Sequence, residues 1–166
     1  MINNEYYLYL YCSEDHETIC MDANASGWEM LKKILQEMLM EVRQQSEPIS
    51  KILGLDVLSL YSSGDEYTSV EQLTIRLDNS LVNYSNEIHF HLSAFCSDKK
   101  KSCIILANIE GLMDLISSIT CLIEHKGKFP TDISHMVPEW GGGNLILGTH
   151  ISEYKAVSHL RLYRWK

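Results

Sequence analysis

Proline and long apolar runs are what this 166-residue chain has least of. Three Pro and nine Gly leave no room for a long unstructured linker. No segment approaches the roughly 18 consecutive apolar residues of a membrane span. The opening Met1-Ile-Asn-Asn-Glu-Tyr6 carries neither a basic patch nor an apolar stretch after it, so a secretory signal is not expected and the cytoplasm is the expected location. The five cysteines, at 12, 20, 96, 103 and 121, are odd in number and have no CxxC spacing. In that compartment they are expected as reduced thiols, packed or inert. Chemical signatures are missing as well. There is no G-x-S-x-G, no G-x-x-x-x-G-K-[ST], and no cysteine in a catalytic context. Gly141-Gly-Gly143 does not open a helix and reads as a turn that lets Trp140 pack.

Basic residues are scarce in the first two-fifths. Residues 1–66 hold twelve Asp/Glu against four Lys/Arg, a net −8, whereas residues 67–166 hold ten of each. Positions 1–25 contain no Lys or Arg at all. A negative surface repels phosphate backbones, which argues against nucleic acid as a partner. It suits a basic protein, because complementary potentials raise association rates. The candidate partner-binding residues are therefore Glu14, Asp15, Glu17 and Asp22, joined by Asp65 and Glu66.

What is present reads as a single domain over 1–166. Glu5–Tyr11 alternates Tyr6/Leu8/Leu10 against Tyr7/Tyr9/Tyr11, a strand pattern rich in aromatics. Tyr7, Tyr9 and Tyr11 pack on a second layer or face a partner. The acidic stretch from Cys12 to Asn24 reads as a loop or hairpin. Ser26-Gly-Trp-Glu29 has the form of a capping box, and Leu31, Ile34, Leu35, Met38 and Val42 then make one helical stripe ending near Gln45. Ile49–Leu60 holds a turn and a short strand. Val70–Leu77 and Glu87–Phe95 alternate as strands, and Cys103–Ala107, apolar on both faces, suits the middle of a sheet. Asn108 is placed to cap a second helix carrying Leu112, Leu115, Ile116, Ile119 and Ile123. Thr131–Val137, Leu145–Ile151 and Val157–Trp165 read as strands. The fold class is α+β: a mostly antiparallel sheet of six or seven strands with two amphipathic helices packed on it. A strand-helix-strands order occurs twice, without a residue-by-residue match between the halves.

Among chemical candidates, His89-x-His91 is the sharpest, since i and i+2 share a strand face and two imidazoles could hold one metal. Asp132, His135 and His159 are conceivable further ligands, but no spacing brings them near. A small metal-dependent hydrolase using His89 and His91 is thus the alternative reading; a solvent-facing strand pair is the simpler one. No metal and no cofactor is expected. Lys99-Lys-Lys101 is too small for a nucleic-acid footprint and reads as a solvated turn.

Asn108-Ile-Glu-Gly-Leu-Met-Asp-Leu115, followed by Pro138-Glu-Trp-Gly-Gly-Gly-Asn-Leu-Ile-Leu-Gly148, resembles the immunity proteins of bacterial polymorphic-toxin and contact-dependent-inhibition systems. The resemblance covers about the last 65 residues. It implies a non-enzymatic, single-domain inhibitor that binds one cognate toxin domain; the charge split adds that this toxin is basic, such as a nuclease, with no nucleic-acid partner, and the lack of a long apolar run that there is no membrane partner. It also implies that Trp140 and Gly141–Gly143 mark the fold rather than specificity.

Overall fold

The computed structural model describes residues 6–13, 17–45, 47–55, 67–81, 91–124, 132–136 (backbone only) and 153–164. Its elements run β1(Leu8–Ser13), β2(Thr18–Ala23), α1(Ala25–Gln44), β3(Ile49–Gly54), β4(Tyr67–Val70), β5(Gln72–Leu77), β6(Leu92–Ser97), β7(Ser102–Ala107), α2(Ile109–Glu124), β8(Asp132–Met136), β9(Lys155–Ala156) and β10(His159–Arg164). The class is α+β with two helices and mostly antiparallel pairing. Among the described residues the strands form two five-stranded sheets, β4-β1-β2-β10-β8 and β3-β5-β7-β6-β9, rather than one sheet of six or seven; the strand expected at Leu145–Ile151 lies outside the described residues. The sequence count fell short because β2 and β9 carry no clean alternation and because β4 and β5 are separated only by Glu71.

Reading the second sheet backwards reproduces the first. Each sheet has a hairpin (β1-β2 or β6-β7) flanked by an antiparallel strand (β4 or β9). On its other side lies a parallel strand, β10 or β5, that brings its own antiparallel neighbour, β8 or β3. The chain is therefore two ββαβββ repeats. Each repeat sends its third and last strands into the other repeat's sheet. Over β1, β2 and the start of α1, matched to β6, β7 and the start of α2, the repeats are offset by the same 84 residues that separate Cys12 from Cys96. The expectation that the halves do not align residue by residue is corrected accordingly. Leu8 matches Leu92, Ala23 matches Ala107, Leu31 matches Leu115, and Leu35 matches Ile119; all are buried. Three residues have been inserted by the last strand, where Val70, Leu73 and Ile75 match Val157, Leu160 and Leu162. The inserted residues and the shorter α2 hide the repeat from inspection of the sequence.

The repeat is clearest at the helix starts. Asn24 Oδ1 accepts from the Gly27 N–H at 2.8 Å and the Tyr7 N–H at 3.0 Å. Asn108 Oδ1 accepts from the Gly111 N–H at 2.9 Å and the His91 N–H at 2.9 Å. One side chain thus caps the helix and ties it to the first strand of its hairpin. This corrects the capping box expected at Ser26–Glu29, because the cap lies two residues earlier. Gly is required three residues after each Asn. A Cβ on Gly27 would run into the Tyr7 carbonyl, and one on Gly111 into the His91 carbonyl.

One core joins all of this. It contains the inner faces of both sheets and the buried stripes of both helices, with Trp28, Leu31, Leu35 and Met38 from α1 and Leu112, Leu115 and Ile119 from α2. The helices pack on each other. β10 is tied to both: the Trp28 indole N–H donates to the Tyr163 carbonyl (3.2 Å), and Arg164 donates to the Leu122 and Ile123 carbonyls (2.8 and 2.9 Å) that end α2. Cys12 and Cys96, on the inner faces of β1 and β6, are joined as a disulfide with Cα atoms 6.7 Å apart, a spacing a disulfide can span. This corrects the expectation of five reduced thiols. Repeat-related positions meet where the two sheets approach, so a spacing that means nothing along the chain becomes a contact in space. Cys20 and Cys103 are buried and Cys121 is exposed; burial pushes the Cys20 and Cys103 thiols above their ordinary range.

Candidate functional site

Two copies of one unit provide an internal control. What the fold demands recurs in both repeats; what differs is open to function. The largest contrast lies on the outer face of the first sheet. There the side chains of Tyr9, Tyr11 and Cys20 form a small buried cluster separate from the main core. Beside it is Asp22, only 4% exposed. Among the described residues Asp22 Oδ1 and the Arg161 Nε have no hydrogen-bond partner. Burial raises the Asp22 carboxyl to about 6, with the Arg161 charge pulling it part of the way back. In the second repeat the positions matching Asp22 and Arg161 are Leu106 and Thr74, so the fold does not need the charges.

This corrects one candidate. Asp22 is not on an exposed rim; its place in β2, with Tyr163 opposite on β10, turns it onto the packed outer face. Glu17 is exposed, as expected, and its carbonyl accepts from the N–H groups of Ser158 and His159 at 2.9 and 3.0 Å. Glu14, Asp15, Asp65 and Glu66 lie outside the described residues, as do Trp140 and Gly141–Gly143. The described carboxylates of the acidic segment that do face solvent are Glu17, Glu29, Glu37, Glu41 and Glu47. Glu29, Glu37 and Glu41 follow one row of α1, and the last reaches Lys51 Nζ at 3.4 Å. Sequence reasoning missed this row, although the spacing of four and eight residues was there to find it.

The hairpin tips differ in sign. The offset between repeats sets Asp15 and Glu17 against Lys99 and Lys101. The lysines are not simply solvated. Lys99 and Lys100 reach Glu153 at 3.0 and 3.3 Å, and Lys101 reaches Glu71 at 3.5 Å. These contacts hold the Glu153 carboxyl below its usual range.

The tyrosine row divides. Tyr9 and Tyr11 are buried, while Tyr6 (59%) and Tyr7 (38%) are exposed. Tyr7 stacks on Tyr9 with centroids 6.2 Å apart. Together with Leu8, Met30, Leu53, Gly54 and Leu55 they line a groove of about 160 Å³ between the start of β1, α1 and the end of β3.

The histidine pair is only half described, because His89 lies outside. His91 sits just before β6 in the second sheet, with its Nε2 2.9 Å from Ser93 Oγ. Burial lowers its pKa, against an opposing pull from Asp78. Asp132, His135 and His159 belong to strands of the first sheet. Among the described residues no group of three His, Cys, Asp or Glu is arranged to hold a metal, and no helix is long and apolar enough to cross a membrane. Compared with protein families, curated proteins and solved structures, the chain matches none.

Proposed function

We propose that the chain is an immunity protein: a stoichiometric inhibitor that binds and neutralises a basic toxin domain in the cell that makes it. The carrying observation is the segregation of charge, net −8 over residues 1–66 against zero over the rest. The exposure of Glu17, Glu29, Glu37 and Glu47 supports this reading, since these carboxylates face solvent; Glu41 is exposed too but is already met by Lys51. So does the contrast between the acidic tip of the first hairpin and the paired lysines of the second. The motif resemblance around Asn108–Leu115 and Pro138–Gly148 supplies the family. In this reading the docking set is Glu17, Glu29, Glu37 and Glu41, with Glu14, Asp15, Asp65 and Glu66 as further members and Asp22 withdrawn.

The test is co-expression with the toxin domain encoded beside its gene. Growth should be restored and a one-to-one complex should survive gel filtration. A Glu17/Glu29/Glu37→Gln variant should associate more slowly, with a flatter dependence on salt and a nearly unchanged dissociation rate. Failure to protect the cell or to form the complex would end this reading.

A further inference from the structure

We propose that Cys12, Cys96 and Cys103 form a three-sulfur exchange centre. In it Cys96 is bridged either to Cys12, which ties the two repeats together, or to Cys103, which closes one hairpin and leaves the repeats untied. The inference is independent of what the chain binds.

Register puts the third sulfur in place. Cys103 is the residue directly opposite Cys96 in the antiparallel β6-β7 pair. Directly paired residues have Cα atoms about 4.5–5.5 Å apart and side chains on one face, within the roughly 4.4–6.8 Å that a disulfide spans. Cys12, with its Cα 6.7 Å from that of Cys96, already makes such a bond. All three residues belong to the main core, and Cys96 and Cys103 are fully buried in it. Cys96 thus has one sulfur neighbour across the sheets and another across its own hairpin.

The first repeat shows that the fold does not ask for a thiol at 103. Its matching hairpin pairs Cys12 with Ile19 in the same register, so an aliphatic side chain fills the equivalent place. The other two free cysteines lie apart: Cys20 is on the outer face of the first sheet, and Cys121 is exposed on α2.

The exchange is an isomerisation. Cys103 gives up its proton, and its thiolate attacks Cys96 Sγ. The Cys96–Cys103 bond forms as the Cys12–Cys96 bond breaks. Cys12 leaves as a thiolate and takes up the proton, so one disulfide and one thiol remain and no oxidant or reductant is consumed. Burial raises the Cys103 thiol and keeps its thiolate scarce while the core is closed. Loosening of the core is therefore the trigger. In an opened chain, closing the seven residues from 96 to 103 is favoured about forty-fold over closing the 84 from 12 to 96. The bridge thus records covalently whether the two sheets are pressed together.

The experiment is disulfide mapping of the full chain, oxidised with diamide and then held in urea at concentrations up to the foot of its unfolding transition. Free thiols are trapped with N-ethylmaleimide. Trypsin cuts at Lys99, Lys100 and Lys101 and so separates Cys96 from Cys103 before mass spectrometry. Without urea the bridge is expected at Cys12–Cys96, with Cys103 free. As urea rises, the Cys96–Cys103 fraction should grow at least about ten-fold, with Cys12 becoming the trapped thiol and one disulfide per chain throughout. A Cys103→Ile variant, which borrows the first repeat's residue, should keep the Cys12–Cys96 bridge under the same conditions. A Cys12→Ala variant should form the Cys96–Cys103 bridge when diamide takes up the two hydrogens; if that variant does not fold, the wild type and Cys103→Ile decide alone. The proposal is overturned if diamide gives no Cys12–Cys96 bridge, if that bridge persists unchanged up to the transition, if Cys20 or Cys121 takes the place of Cys103, or if Cys103→Ile releases Cys12 at the wild-type rate.

Discussion

Asp22 shows how one buried group sets a pH dependence. Its carboxyl is raised from 3.8 to about 6 by burial, so between those values the folded protein holds a proton that the unfolded chain has released. Stability must then fall as pH rises through this window, and the penalty is fully present above about pH 6. If the shift is complete the penalty is about 3 kcal/mol. Asp22→Asn should therefore stabilise the protein by about 1–3 kcal/mol at pH 8 and change little at pH 4. Urea unfolding of both proteins across that range measures it. A gain that is independent of pH would mean that packing, not charge, governs the site. Gly27 and Gly111 are constrained in the opposite direction. Alanine at either would press a methyl onto a strand carbonyl, and the loss expected for each is about 3 kcal/mol, the upper end for overpacking. Comparable losses at the two sites in thermal melts would confirm that they are one structural position used twice.

At the scale of elements, β10 is the strand that other parts depend on most. It continues the first sheet beyond β2, and Arg164 supplies cation and donors to the carbonyl end of α2, where positive charge is favourable. Two charge-assisted hydrogen bonds disappear in Arg164→Leu, and about 2 kcal/mol should go with them. Hydrogen exchange ought to quicken first in the last turn of α2 while β6 and β7 stay protected. Uniform loss of protection would instead show that Arg164 supports the whole core. The hairpin tips illustrate the freedom left to an element once its strands are fixed. The residues linking the hairpin strands are acidic in one copy and lysine-rich in the other, and the lysines find Glu153 and Glu71 to answer them.

At the scale of the molecule, the interlocking of repeats makes stability a joint property. Each sheet takes three strands from one repeat and two from the other. A separated half would therefore expose the inner face that its partner's strands and helix cover. Residues 1–81 and 82–166, expressed apart, should each lack a cooperative thermal transition; mixing them should restore one. A half that melts cooperatively alone would show that a single ββαβββ unit can close its own core. The Cys12–Cys96 bridge joins the two repeats covalently, so in the mixture it should link the halves and be released by reductant.

Much of this was legible in the residues. Alternation in Leu8–Tyr11 and Gln72–Leu77 set the strands, the stripes from Leu31 to Val42 and from Leu112 to Ile123 set the helices, and Asn108 set a cap. These follow from local sterics and burial period, which act over a few residues. The excess of acid in the first two-fifths was likewise plain. Tertiary structure alone decided that β3 and β5 cross into the far sheet, that Cys12 meets Cys96, and that Asp22 is buried on the outer face of its sheet while Glu29 and Glu37 are exposed. It also brought Tyr6, Met30 and Leu55 around one groove. Local periodicity records which face of a strand is buried; it holds no record of which distant strand lies beside it. That choice is made by the shared core, where two similar half-sheets cover each other's apolar faces.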